Sequence, residues 1–155
     1  MADRHQYRVA LSGPLSSTDP DVRVLSAADH ERLPALMLAA YAGTTDDEGE
    51  SLDEAVEEIE EWLENGGRPD RSFGYERDET LLSAALVTVA PKGAILAYVI
   101  THPSAKREGH GRRVVDAALE RLRQDGHREV HLWITEGNVP SEALFAGLAA
   151  ERIAD

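Results

Sequence analysis

The chain has 155 residues, enough for one domain around a single core, and its 42% hydrophobic and 29% charged content is ordinary for a soluble globular protein. A net charge of −13 argues against nucleic acid or an anionic membrane as partner, since both need clustered Lys and Arg; it suits solubility, or a cationic substrate. With no cysteine, disulfides, thiolate zinc sites and a Cys nucleophile are excluded; no stretch has a signal peptide's apolar core or the roughly 18 apolar residues of a membrane span, so a cytoplasmic protein is expected.

Residues 1–20 read as an N-terminal arm, and residues 21–155 as one domain. Within the arm, Tyr7, Val9 and Leu11 alternate with Arg8 and Ala10, which gives Gln6–Leu11 strand character before the turn-rich segment that ends at Pro20. Val22–Leu25 is a second strand. Ser26 with Asp29 resembles a capping box ahead of a helix that carries Leu33, Leu36, Met37, Ala40 and Tyr41. After a turn at Gly43–Asp47, Ser51 with Glu54 caps the next helix. Its expected apolar face is Leu52, Val56, Ile59 and Leu63, with Trp62 also on it, and Asn65-Gly66-Gly67 stops it. The acidic residues from Asp46 to Glu64 form a solvated face, or else an acidic rim that attracts an amine. Ser72–Glu76 is a short strand. Leu81–Val89 and Ala94–Thr101 are strands joined by the hairpin turn Ala90-Pro91-Lys92-Gly93. From Gly111, the pattern Val114, Val115, Ala118, Leu119 and Leu122 predicts an amphipathic helix. Glu129–Ile134 is the next strand, and Asn138 with Pro140 opens a last helix through Ala143, Leu144 and Leu148. The order predicts a mixed α/β sheet with helices on both faces.

The chemistry concentrates between Tyr98 and Arg112, where a strand runs into a loop holding Gly109 and Gly111 and a helix begins. Glycines there let the backbone approach a ligand closely, and the first amides of the helix present the positive end of its dipole, a setting suited to a pyrophosphate. Arg107, Arg112 and Arg113 add charge. No Gly-Lys-Ser/Thr follows, which excludes a P-loop, and Val114 stands where a dinucleotide fold would need a third glycine. The six histidines show no spacing with carboxylates that would make a metal site.

The run Pro103-Ser-Ala-Lys106-Arg107-Glu108-Gly109-His110-Gly111 resembles the pyrophosphate loop of the GNAT superfamily of N-acetyltransferases, Gln/Arg-x-x-Gly-x-Gly/Ala, with Lys106 where Gln or Arg is usual. Further on, Leu132-Trp-Ile-Thr-Glu-Gly-Asn138 and Ala143-Leu144-Phe145 resemble that family's second strand, its terminal Asn and its last helix, with Ser141 where Ala is usual. The resemblance implies a GNAT-like acyl-CoA acyltransferase fold. It also implies acetyl-CoA as cosubstrate and direct acetyl transfer to the amine of a small molecule or peptide, with no metal expected from the histidine spacing. The two strand ends would splay apart, with Val99, Ile100 and Thr101 supplying main-chain hydrogen bonds to pantetheine. Arg107, Glu108, Gly109, His110, Gly111 and Arg112 would wrap the pyrophosphate, and Asn138 would hold the pantetheine arm.

Two departures qualify that picture. Phe145 stands where many relatives carry a Tyr that protonates the departing thiolate, so the acid is unassigned. For a base, Glu136 near the strand end is the candidate, with Glu50, Glu54 and Tyr41 on the acceptor side. Relatives also continue into a C-terminal β-hairpin that completes the sheet, whereas this sequence ends at Asp155. Without the hairpin, Glu129–Ile134 would be an open edge, and the arm strand is expected to cover it, on its own subunit or across a homodimer. The alternative reading is a catalytically weak or silent acyl-CoA-binding or assembly module of the same fold.

Overall fold

A computed structural model of the chain describes residues 3–11, 21–42, 49–105 and 108–153. The turn at Gly43–Asp47 lies outside them, as do Lys106 and Arg107. A seven-stranded mixed sheet in the order β2-β3-β4-β5-β6-β1-β7 forms the frame. Its strands are β1 (Arg4–Ala10), β2 (Val22–Val24), β3 (Phe73–Arg77), β4 (Thr80–Ala90), β5 (Gly93–Thr101), β6 (Glu129–Thr135) and β7 (Glu151–Arg152). The helices are α1 (Leu33–Tyr41), α2 (Leu52–Glu64), α3 (His110–Gln124) and α4 (Val139–Ala146). None of the described helices is long and apolar enough to cross a membrane.

β4 explains why the sheet is covered on both sides. Its apolar run has no polar face, so Ala85 and Val87 pack under α3 while Ala84 and Leu86 pack under α1 and α2, all fully buried. The helical stripe Val114, Val115, Ala118, Leu119 and Leu122 closes the first core, as its spacing predicts. The second core joins Leu33, Leu36, Met37 and Ala40 of α1 to Ile59 and Trp62 of α2. Here the expected apolar face of α2 needs correction. The buried residues are Ala55, Ile59 and Trp62, whereas Leu52 and Val56 are exposed. Trp62 has the larger surface to hide, and burying it rotates the helix away from the aliphatic pair.

The Ser51 cap reading holds, while the Ser26–Asp29 box opens a 3-10 turn, Ala27–Glu31, and α1 starts separately after Arg32. Ser51 Oγ accepts the Glu54 N–H at 3.2 Å, and the Glu54 carboxylate accepts the Ser51 N–H at 3.2 Å. Asp29, fully buried, accepts the Ser26 N–H at 2.8 Å and also takes Arg23 and Arg32, which share Glu76. These guanidiniums hold the Asp29 carboxyl well below the usual carboxylate range.

The strand from the arm lies within its own chain. β1 pairs antiparallel with β6 from Arg4↔Thr135 to Ala10↔Glu129, burying Val9 and Leu11, and its far side takes β7. β6 is therefore an interior strand of the sheet.

Candidate functional site

β5 and β6 run parallel but pair only at Ala94↔Val130 and Ile95↔His131. Beyond that point they diverge. A β-bulge in β5 lies at the parting: Leu86 opposes Tyr98 while Val87 opposes Leu96, so Ala97 is the extra residue. The bulge resets the strand's alternation. Leu96 packs under α3, Ala97 and Tyr98 both turn to the α1/α2 side, and Val99 returns to the α3 side. Downstream, the His102 N–H donates to the Leu82 carbonyl at 2.8 Å. Alternation then turns the main chain of Ile100 and Tyr98 toward β4, and that of Val99 and Thr101 into the gap. Of the three residues expected to supply hydrogen bonds there, Val99 and Thr101 are placed to do so. Ile100 is not: its carbonyl accepts from Ser83 Oγ at 3.1 Å, and its side chain is buried in the second core.

The gap opens into a cleft of roughly 1800 Å³ lined by Tyr98, Val99 and Thr101 of β5, by Gly109–Arg112, by Leu132–Thr135 and by Gly137–Ser141. At one end stands α3. Gly109, its N-cap, has φ +80°, a left-handed conformation natural to glycine, and open space surrounds the position a Cβ would take. The first helical bond is Arg113 N–H to the Gly109 carbonyl, so the N–H groups of His110, Gly111 and Arg112 have no partner within the helix and emerge at its positive end. A Cβ on Gly111 would lie 3.4 Å from Thr101 Oγ1 and 3.5 Å from Leu144 Cδ1, so a large side chain there has no room without displacing the wall.

The remaining loop residues have specific posts. The His110 side chain is buried, stacked on Tyr75 with ring centroids 3.9 Å apart. Its Nε2 lies 2.8 Å from the Glu108 carboxylate, and its Nδ1 accepts from Arg113 at 3.2 Å, a pair of bonds that puts the proton on Nε2. Arg112 lines the cleft and pairs with Asp116 at 3.0 Å. Asn138 also lines it. Its Oδ1 accepts the Ser141 N–H at 3.3 Å, which makes it the N-cap of α4. Phe145 is buried and forms part of the wall. Arg107 lies outside the described residues.

Glu136, the candidate base, lies outside the cleft. Its exposed side chain is absent from the cleft wall and lies 3.6 Å from His5 Nε2, because its N–H bonds to Asp3 and draws it toward the β1 side. The other candidates lie nearer the cleft. Tyr41 and Glu50 line the cleft, and a smaller pocket of about 300 Å³ is formed by Glu50, Glu54, Glu57, Glu58, Glu61 and Tyr98. Tyr98 donates to Glu58 Oε1 at 2.8 Å, and burial together with that carboxylate pushes its phenol well above the ordinary value. Glu58 and Tyr98 were not legible as a pair. The helical spacing of Glu54, Glu58 and Glu61 could have singled out this helix face, but nothing in the sequence announces the bulge that turns Tyr98 toward it. The rim also holds Arg4 and Trp133, the latter 43% exposed. Among the described residues, no group of three or more His, Cys, Asp or Glu could hold a metal ion.

The model of the Acetyltransferase (GNAT) family matches residues 36–148. No curated protein matches the sequence. Solved structures do, and at low identity they speak for the fold. A GCN5-related N-acetyltransferase from Sphaerobacter thermophilus aligns with a TM-score of 0.77 at 11% identity over 98% of this chain and 49% of its own. An acetyltransferase of the GNAT family from Colwellia psychrerythraea gives 0.73 at 15%, over 98% and 53%. This chain thus spans about half the length of those two. The PaiA N-acetyltransferase from Thermoplasma acidophilum, solved in complex with coenzyme A, gives 0.63 at 19% over 81% of this chain and 86% of its own.

Proposed function

The chain belongs to the GNAT acetyltransferase family, and we propose that it moves an acetyl group from acetyl-CoA to a primary amine by direct transfer. The observation that carries this reading is the parting of β5 from β6, with main-chain groups of Val99 and Thr101 turned into the gap and the first amides of α3, which have no partner within the helix, at its end. An extended chain with amides at intervals, such as pantetheine, fits beside Val99 and Thr101 as an added strand would. A pyrophosphate fits the N–H groups of His110, Gly111 and Arg112. The coenzyme A complex of the Thermoplasma neighbour supports the same ligand here.

In this reading acetyl-CoA supplies an activated thioester. The protein aligns it, and an N–H of Val99 or Thr101 steadies the charge that develops on the carbonyl oxygen. The acceptor enters from the α1/α2 side, where the wall is acidic and the field favours a cation, whether a small amine or an amine-bearing peptide. Residues 21–155 together with the β1 strand act as one acetyl-CoA-binding unit, and the location that goes with this reading is the cytoplasm.

The test is Gly111→Glu, followed by titration calorimetry with acetyl-CoA and by thiol release with a panel of ethanolamine, 1,4-diaminobutane and a lysine-containing peptide. The variant is expected to lose acetyl-CoA binding, since the new side chain meets Thr101 and Leu144 and adds like charge to the phosphate path. Unchanged affinity would overturn the assignment. Absence of thiol release by the wild type with every amine would favour the silent binding module, which Phe145 supports.

A further inference from the structure

Any amine acceptor arrives at neutral pH mainly as an ammonium, so the transfer needs somewhere for its proton to go. Resting on the acetyltransferase reading above, we propose that Glu58 is the base that takes this proton and that Tyr98 is the positioning residue that holds its carboxylate at the thioester. Glu58 combines three features that no other acidic residue of α2 has together, although Glu61 shares the third.

Glu58 is half-buried where Glu54, Glu57 and Glu61 are exposed. It is fixed, because Oε1 accepts the Tyr98 hydroxyl at 2.8 Å, while Oε2 has no hydrogen-bond partner among the described residues. And it stands at the junction: Glu58 and Tyr98 both line the acidic pocket and the large cleft, so a group bonded there faces the acceptor side and the cosubstrate side at once.

The anchoring strand sets the depth. Tyr98 immediately precedes Val99, whose main chain faces the gap, and the bulge at Ala97 is what points the phenol to the α2 side. The phenol does not compete as a base. Burial and the Glu58 carboxylate raise its pKa well above the ordinary value, so it stays protonated and donates. The charged groups around the pair are the carboxylates of Glu54, Glu57 and Glu61 on α2, that of Glu50 just ahead of the helix, and the guanidinium of Arg4 on β1.

The step balances without an added reagent. The ammonium gives one proton to Glu58, and the neutral amine attacks the thioester carbonyl carbon. The N–C bond forms and the C–S bond breaks, and the second proton on nitrogen ends on the departing sulfur as free thiol. Glu58 returns its proton to solvent through the acidic pocket. Sulfur collects the substrate's own proton, so Phe145 need not donate one.

The experiment compares wild type, Glu58→Gln, Tyr98→Phe and the control Glu60→Gln, an exposed α2 residue outside both pockets. Acetyl-CoA affinity is measured by calorimetry, and kcat/KM for the best amine of the panel from about pH 6 to 9, the range in which the free-amine fraction of a Lys-like acceptor changes most informatively. Glu58→Gln should bind acetyl-CoA within threefold of wild type (roughly 0.6 kcal/mol) and lose about 100-fold in kcat/KM at pH 7. Its rate should then climb about tenfold per pH unit, as free amine appears in solution, where wild type is level. Tyr98→Phe should lower kcat by about tenfold with KM for acetyl-CoA held, and Glu60→Gln should match wild type. A level profile and wild-type kcat in Glu58→Gln would overturn the role of Glu58 and leave the transferase reading standing. Loss of acetyl-CoA binding by the wild type, or binding without turnover of any amine, would overturn the transferase reading and the base with it.

Discussion

Asn138 has two demands on one side chain, and substitution can separate them. Its Oδ1 caps α4 through the Ser141 N–H at 3.3 Å, while its position on the cleft wall places the same side chain beside the proposed pantetheine path. Asn138→Ala removes both. Loss of the cap should cost about 1 kcal/mol of stability, which in a domain of this size is roughly 2–4 °C in Tm. Loss of an amide partner to the ligand should cost about 1–2 kcal/mol of binding, some 5- to 30-fold in Kd. Asn138→Ser keeps an oxygen that can cap, so its Tm should stay near that of wild type, yet it lacks the amide N–H and should still bind acetyl-CoA about tenfold more weakly. Thermal melting and calorimetry on the three proteins read the two effects independently. If Asn138→Ser binds as tightly as wild type, the side chain is a helix cap and nothing more, and it leaves the site.

Gly109→Ala should lower stability by about 1–2 kcal/mol through its left-handed φ alone, because no atom lies within 4 Å of the added Cβ; Gly109→Asn, which tolerates that conformation, should recover most of the loss in melting experiments. Asp29→Asn should destabilise the protein by roughly 1–3 kcal/mol near pH 7, since a buried carboxylate serving Arg23 and Arg32 loses its charge. The folded-state pKa of Asp29 is depressed, so its stabilisation is present above the unfolded value of about 3.9 and is lost as pH falls below it; urea titrations should show the gap between wild type and variant narrowing from about pH 5 to pH 2, and a constant gap would refute the ion cluster's role. Removing residues 1–11 strips β1 with the buried side chains of Val9 and Leu11, at about 2 kcal/mol each before any cost of reopening β6, so the truncated protein should melt far below the full chain; a Tm within about 2 °C would show the strand to be dispensable.

The elements that sequence made legible are those whose physics is local. Ser51 and Glu54 close a capping box within four consecutive residues, and the stripe Val114 to Leu122 repeats at helical spacing. The loop at Gly109 and Gly111 declares itself because glycine is the residue most at ease in a left-handed N-cap, and at Gly111 it leaves clear the space beside Thr101 that a large side chain would fill. What stayed hidden depends on a partner distant in sequence. Trp62 was legible on the apolar face of α2, but the exposure of Leu52 and Val56 was not, because the helix is rotated to seat Trp62 in a core built from α1 and β5. The orientation of β5 past Ala97 is decided by register against β4, where one inserted residue exchanges the two faces of the strand. That insertion sends Tyr98 to Glu58 and turns Ile100 away from the gap. Glu136 misleads for a related reason: adjacency to a strand end says how near a residue is to a cleft, while the pairing of β6 with β1 decides which way it faces.

The position of β1 connects this geometry to the open edge expected of β6. A strand that diverges from its neighbour on one side exposes main-chain donors and acceptors, which is useful only where a ligand is to pair. On its other side the same strand must be satisfied, or it becomes a template for unrelated chains. The seven residues of β1 meet that requirement along the whole of β6, and they do so with an alternating pattern that puts Val9 into the α3 core. Because β1 starts at the level of Thr135, its first residue, Arg4, arrives at the rim of the cleft, close enough for its charge to act on the Tyr98 phenol. The segment that closes the sheet therefore also sets a positive charge opposite the acidic wall of α2, and Arg4→Ala should make the acceptor mouth more attractive to cations. A lower KM for the amine at unchanged acetyl-CoA affinity would bear this out, with the effect shrinking as salt is raised. A KM unmoved at low ionic strength would show that Arg4 is only an end of the strand.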